Sequence, residues 1–291
     1  MNWYAVFARV KPAARAVNLA AMMGAMWIGC LTVSAGDLPI ATSEGKPYLD
    51  MPGNAGGTMP RLLSQTGAFK NVAELTPADG LIPYDVIVPF WSDGAEKSRW
   101  ISVPAGQKIK FTRTGDWVFP RGTVFVKNFS LPTREKDPAI TRRLETRLLV
   151  CDENGGVYGV TYKWRADNSD ADLLATNLSE AIPVETSAGR RAQTWYYPSR
   201  KDCVTCHTAN AGYVLGVKTR QLNRNFTYSG GVTGNELTVW NRLGLFNTNL
   251  AEADLEKVPT LAAVDDTRRS IEDRARSYLD ANCANCHRPK G

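Results

Sequence analysis

The chain has 291 residues, with 35 Lys and Arg against 29 Asp and Glu, a formal net charge of +6. That length accommodates one or two domains with cores of their own. The basic excess is spread along the chain with no Lys/Arg-rich cluster or interleaved aromatic platform, which argues against a nucleic-acid partner.

The first element is an export segment, residues 1–35. Arg9, Lys11 and Arg15 form a basic start, Ala16 to Val33 is mostly apolar, and Val33-Ser34-Ala35 resembles a small-residue cleavage site. This pattern predicts a signal peptide, cleavage near Gly36 and a periplasmic mature protein. Two other readings stay open. An uncleaved anchor is one, since the apolar run sits at the lower limit for spanning a bilayer. A lipoprotein is the other, because Ile28-Gly29-Cys30 is part of a lipobox with Trp27 where Leu is expected. Removal of the segment leaves 256 residues and a net charge of +3.

Residues 36–60 contain Gly53-Asn54-Ala55-Gly56-Gly57 between Pro47, Pro52 and Pro60 and read as a flexible linker. Residues 61–200 read as a β-rich domain. Strands are predicted at Tyr84–Phe90, Lys108–Thr112, Thr123–Phe129, Thr146–Cys151 and Val157–Trp164, the last two joined through an Asn154-Gly155 turn as a hairpin. Short strands without alternating helices point to a β-sandwich or jelly-roll-like domain. Cys151 reads as a buried strand residue. Trp91, Asp93, Lys97, Trp117 and Trp195 are read as core and turn residues, with a sugar or quinone pocket as the other reading.

From residue 201 to 291 the character changes. Cys203-Val204-Thr205-Cys206-His207 and Cys283-Ala284-Asn285-Cys286-His287 use four of the six cysteines and both histidines. CxxCH is the signature of covalent haem c attachment: two thiols add across the porphyrin vinyl groups and the adjacent imidazole is aimed at the iron. The reading therefore assigns two haems c, with Cys203, Cys206, Cys283 and Cys286 as thioether donors and His207 and His287 as iron ligands. A zinc ribbon brings its two CxxC pairs about 15 to 20 residues apart, and here most of a domain separates them. A redox dithiol expects a preceding buried strand, whereas Cys203 follows the polar stretch Pro198 to Asp202. Plain disulfides leave the two histidines unexplained. Four haem propionates outweigh the remaining positive charge.

Helices are predicted at Asn235–Gly244, Ala251–Lys257 and Thr267–Asn282, the last with Ile271, Ala275, Tyr278 and Leu279 as one apolar stripe leading into the second motif. The expected fold class is therefore α+β and multidomain, a β-sandwich or jelly-roll-like domain followed by α-helical cytochrome c-like segments. Only Arg288 to Gly291 follow His287, so the second haem domain reads as incomplete.

Several strings carry a resemblance: Trp91-Ser92-Asp93-Gly94-Ala95-Glu96-Lys97, Trp117-Val118-Phe119-Pro120-Arg121-Gly122-Thr123, Trp195-Tyr196-Tyr197-Pro198-Ser199-Arg200 before the first CxxCH, and Ala275 to Cys283 before the second. In these the chain resembles a little-characterised family of bacterial dihaem c-type cytochrome proteins, sometimes joined to quinoprotein sugar-dehydrogenase-like domains. The resemblance spans nearly all of the mature chain and implies haem binding and electron transfer.

The sixth iron ligands are not legible. Methionine is the usual one in electron carriers, yet the six methionines are Met1, Met22, Met23, Met26, Met51 and Met59, all before either motif. Both histidines are already used. The iron at His207 is left with Met51 or Met59, a Tyr or Lys, a group from elsewhere, or water. Three functional classes follow. The first is a periplasmic electron carrier with a redox partner such as a dehydrogenase, the second a peroxidase-like haem enzyme with an open iron, and the third a sugar- or partner-binding module. A Ser-His-Asp triad is excluded for want of a spare histidine, and carboxylate pairs of the glycosidase kind stay open.

Overall fold

Apolar residues alternate with polar or oppositely directed ones along the central strands, and that period of two sorts the side chains to two faces of a sheet. The computed structural model describes residues 45–255 and 257–288, all within one compact unit spanning Ser34–Gly291. The export segment, the start of the linker and the last three residues lie outside the described residues.

The strands in chain order are β1 (Phe69–Asn71), β2 (Thr76–Pro77), β3 (Leu81–Tyr84), β4 (Glu96–Ser102), β5 (Val124–Pro132), β6 (Thr141–Cys151), β7 (Val157–Trp164), β8 (Ala171–Leu173), β9 (Leu178–Thr186) and β10 (Gly189–Tyr197). After them come helices α1 (Arg200–Cys206) and α2 (Thr219–Leu222), strands β11 (Asn225–Thr227) and β12 (Thr233–Asn235), and helices α3 (Glu236–Arg242), α4 (Glu252–Leu255) and α5 (Ile271–Asn282). Strands β3 to β8 form a six-stranded antiparallel meander in sequence order. Pro83 is tolerated because β3 is an edge strand.

One face of the meander buries Val124, Val126, Leu148, Val150, Val160, Tyr162 and Trp164 against residues 49–69. Each fully buried aliphatic side chain here contributes about 1.5–3 kcal/mol. The Gly/Pro-rich stretch read as linker is thus packed over its described part, with Leu49, Met51 and Met59 in this core. The sheet fixes it in place: Tyr158 Oη donates to Pro52 O at 2.5 Å and Tyr162 Oη to Pro60 O at 2.9 Å. A second core, built by the β9–β10 ribbon, holds Phe129, Leu144, Ile182, Trp195 and Tyr197.

The α+β, multidomain expectation with α-helical cytochrome c-like segments is corrected. The protein is mostly β, with 33% strand and 17% helix. After Arg200 the helices run only seven, four, seven, four and twelve residues, interrupted by β11 and β12. Such short helices cannot wrap a ring by themselves. They lie instead over the second face of the sheet.

The apolar stripe read on α5 faces mostly outward. Ile271, Tyr278 and Leu279 are exposed, at 75%, 38% and 55%, and the helix docks through Ser277 and Ala281. Polar anchors decide this orientation. Asp280 takes a bidentate pair from Arg220 at 2.7 and 2.8 Å, and Ser277 Oγ accepts from Ala262 N at 2.9 Å.

Candidate functional site

The chain enters α1 through a capping box. Ser199 Oγ faces the Asp202 amide, and Asp202 Oδ2 accepts from Ser199 N at 2.7 Å, from Ser199 Oγ at 2.8 Å and from Tyr196 Oη at 2.9 Å. This starts the helix at a fixed point, so that Cys203 and Cys206 fall in its last turn and His207 at its C-cap. Cys203 lies flat on β7 because Gly159 has no side chain; a Cβ there would sit 2.7 Å from Cys203 Cβ and Sγ. His207 caps the helix and its Nδ1–H donates to Tyr213 O at 2.6 Å, which leaves Nε2 as the nitrogen available to a metal. Tyr213 holds that carbonyl from the left-handed region, φ 60°, a strained setting for a side-chain-bearing residue. Burial, with Lys127 and Arg147 adding, pushes the imidazole down to about 4, so His207 is neutral at physiological pH.

Cys203, Cys206 and His207 line a cleft of about 210 Å³ between the sheet and the helical layer, partly open to solvent. Its sheet wall carries Phe125, Lys127, Phe129, Arg147 and Leu149; its helical wall carries the first motif, Val214 to Val217 and Gln221. Most of this lining is apolar, as ligand sites are, yet one ladder rung crosses it with three cations. Arg99 pairs with Lys127 and Lys127 with Arg147, directly opposite across neighbouring strands. Arg99 is neutralised by Asp85 and Arg147 by the buried Glu145 at 2.5 Å. Arg147 also lies 4.5 Å from the Phe129 ring centroid. Burial and the flanking arginines push Lys127 down to about 7, and burial pushes Lys97 down to about 8.

The second motif meets the first at the cleft's rim. Its spacer residue Asn285 is buried, accepts from Lys218 Nζ at 3.2 Å and donates to Ala281 O at 3.0 Å, and both Ala281 and Asn285 line the cleft. Arg288 reaches Asp116 at 2.6 Å. The Cys286 thiol is close enough to Cys206 to raise it, after burial as the main cause. Cys286 and His287 are exposed and Cys283 is half-buried. All five described cysteines are free thiols.

The structure therefore unites Cys203, Cys206 and His207 around one cleft and places Cys286 beside Cys206, while His287 is exposed. Met51 and Met59 lie in the core on the other face of the sheet. Of the aromatic and charged strings, Trp117 and Trp195 are core residues, donating to Thr112 O at 3.1 Å and Glu145 Oε1 at 3.1 Å. Lys97 lines the cleft, and Trp91 is exposed. Sequence reasoning missed Gly159 and the Arg99–Lys127–Arg147 rung. A usable signal existed for Lys127, a lysine between Phe125 and Phe129 in a strand. The rung itself depends on register and has none.

The donor set fits haem c. Two thiols and one neutral imidazole share an apolar cleft with cations that suit propionate carboxylates. Among the described residues, no group of three or more His, Cys, Asp or Glu is placed to hold a bare metal ion. Comparison of the chain with protein-family models, curated proteins and solved structures finds no match.

Proposed function

We propose that this chain is an exported dihaem c-type cytochrome that carries electrons in the periplasm, with a partner such as a periplasmic dehydrogenase. The observation that supports it most is the convergence of Cys203, Cys206 and His207 on one apolar cleft, with Nδ1 of His207 already tied down. The resemblance to the dihaem family supports the same reading. Haem supplies a one-electron couple when attached. The chain's own groups would do the rest: Cys203 and Cys206 would anchor the ring, Tyr213 O holds the imidazole through Nδ1, and Phe125, Phe129 and Leu149 would give the ring apolar walls. In the second motif, Cys283 and Cys286 are the anchors and His287 the ligand.

Intact-mass analysis of protein matured in a host with haem-attachment machinery checks this. The expected mass gain is that of two haems, falling to one when Cys203 and Cys206 are changed to Ala. Protein that carries zinc and no covalent haem overturns the reading.

A further inference from the structure

We propose that the Lys127 amine supplies the sixth ligand to the iron held by His207. The inference rests on the haem reading and deepens it. His207 reaches the cleft from the helical wall, and Lys127 projects into it from the middle of the sheet wall on β5. An axial pair would need one donor on each side of the ring, and His207 and Lys127 line the cleft from its two walls.

Elimination points the same way. Both described methionines, Met51 and Met59, are sealed in the core on the opposite face of the sheet. Lys97 is engaged by Phe90 O at 2.8 Å and Ala95 O at 3.3 Å. Gln221 is clamped by the Val88 backbone, its Oε1 accepting at 2.9 Å and its Nε2 donating at 2.9 Å. Asn285 is held by Lys218 and Ala281. Tyr84 is on the edge strand, packed edge-on against Trp240 at 5.8 Å. Among the described residues the Lys127 side chain makes no ion pair and no hydrogen bond. Of the carboxylates near it, Asp85 is paired with Arg99, and Glu145 is paired with Arg147 through Oε1, its Oε2 being without a partner. Like charges directly opposite on neighbouring strands repel. Binding to iron as a neutral base removes the middle charge of that rung and gives the unpartnered nitrogen a partner.

The test uses the full-length, haem-loaded protein, read by electron paramagnetic resonance of the ferric form and by carbon monoxide binding to the ferrous form. The parent is expected to show a low-spin iron that Lys127→Ala converts to high-spin, with carbon monoxide then binding at one iron where the parent resists it. Lys127→Arg keeps the charge and cannot ligate, so it is expected to match Lys127→Ala. Lys127→Met is expected to restore a low-spin iron with a near-infrared sulfur-to-iron band. Two high-spin irons in the parent overturn the proposal, as does a low-spin signal unchanged in both the Ala and Arg variants. Rescue by Arg alone also overturns it, because the role is then electrostatic. Absence of covalent haem from the parent is a different failure, that of the underlying reading.

Discussion

At the scale of single residues, Gly159 is the position on which the first motif depends most directly. It is a strand glycine whose missing side chain lets α1 approach the sheet until Cys203 touches β7. Gly159→Ala forces the helix outward. Overpacking of this kind costs about 1–3 kcal/mol, and it displaces the Cys203 thiol that the proposed haem attachment would use. The expected outcome is a lower thermal midpoint and a drop towards one haem per chain by intact mass; full double loading with an unchanged midpoint would refute it. Nothing around Gly159 in the sequence marks it, since Tyr158-Gly159-Val160 reads as ordinary strand with a small residue. The histidine is the opposite case. CxxCH names His207 outright, while the carbonyl that orients it comes from Tyr213, whose left-handed backbone is unexpected for an aromatic residue.

At the scale of elements, α3 shows how a short helix is fixed to the sheet by a buried acid. Asn235 caps it, its Oδ1 accepting from Leu237 N at 3.0 Å and from Thr238 N at 3.4 Å. Glu236, at 0% exposure, accepts from Asp85 N at 2.8 Å through Oε1 and leaves Oε2 without a partner. Burial raises this carboxyl to about 8 in the folded protein from an ordinary 4.5. The folded state thus holds its proton more tightly than the unfolded one. Its contribution is fully present below pH 4.5 and is lost as pH rises through about 8, at roughly 1.4 kcal/mol per unit. Denaturant midpoints are expected to fall between pH 5 and pH 8 and then level off. In Glu236→Gln, which keeps the Oε1 acceptor, that fall should largely disappear; an unaltered pH profile in the variant would rule out this carboxyl as the source. Periodicity located α3 and α5, but not their orientation. On α5 the Arg220–Asp280 pair and the Ser277 hydroxyl win over the apolar stripe, a competition between side chains 60 and 15 residues apart in sequence.

At the scale of the whole molecule, the two motifs, separated by most of the helical layer in sequence, meet at one rim with Cys286 beside Cys206. If both motifs carry the haems proposed for them, thiols this close would hold the two groups near each other, and the oxidation state of one would act on the other across a poorly screened distance. Potentiometric titration is expected to show two interacting couples. The ferric paramagnetic spectrum should be broadened relative to that of a variant with Cys283 and Cys286 changed to Ala. Independent couples, with a two-haem spectrum equal to the sum of single-haem spectra, would show the motifs are apart in the loaded protein.

The sequence by itself determined the local chemistry: which thiols and which imidazoles belong together, because CxxCH is a contiguous pattern. It also determined that the middle of the chain is strand, because Val124 to Pro132 and Val157 to Trp164 carry β-branched and aromatic residues between turn residues. Only the tertiary structure decided what those parts enclose. Antiparallel register brought Arg99, Lys127 and Arg147 into one rung. Docking of α1 onto Gly159 turned a sheet face into the wall of a cleft. Packing of the 45–60 stretch carried Met51 and Met59 to the face away from His207. Each of these outcomes depends on pairing between residues distant in sequence, where the free energy of contact must exceed the entropy of closing long loops. Neither composition nor periodicity along one chain records which pairings win.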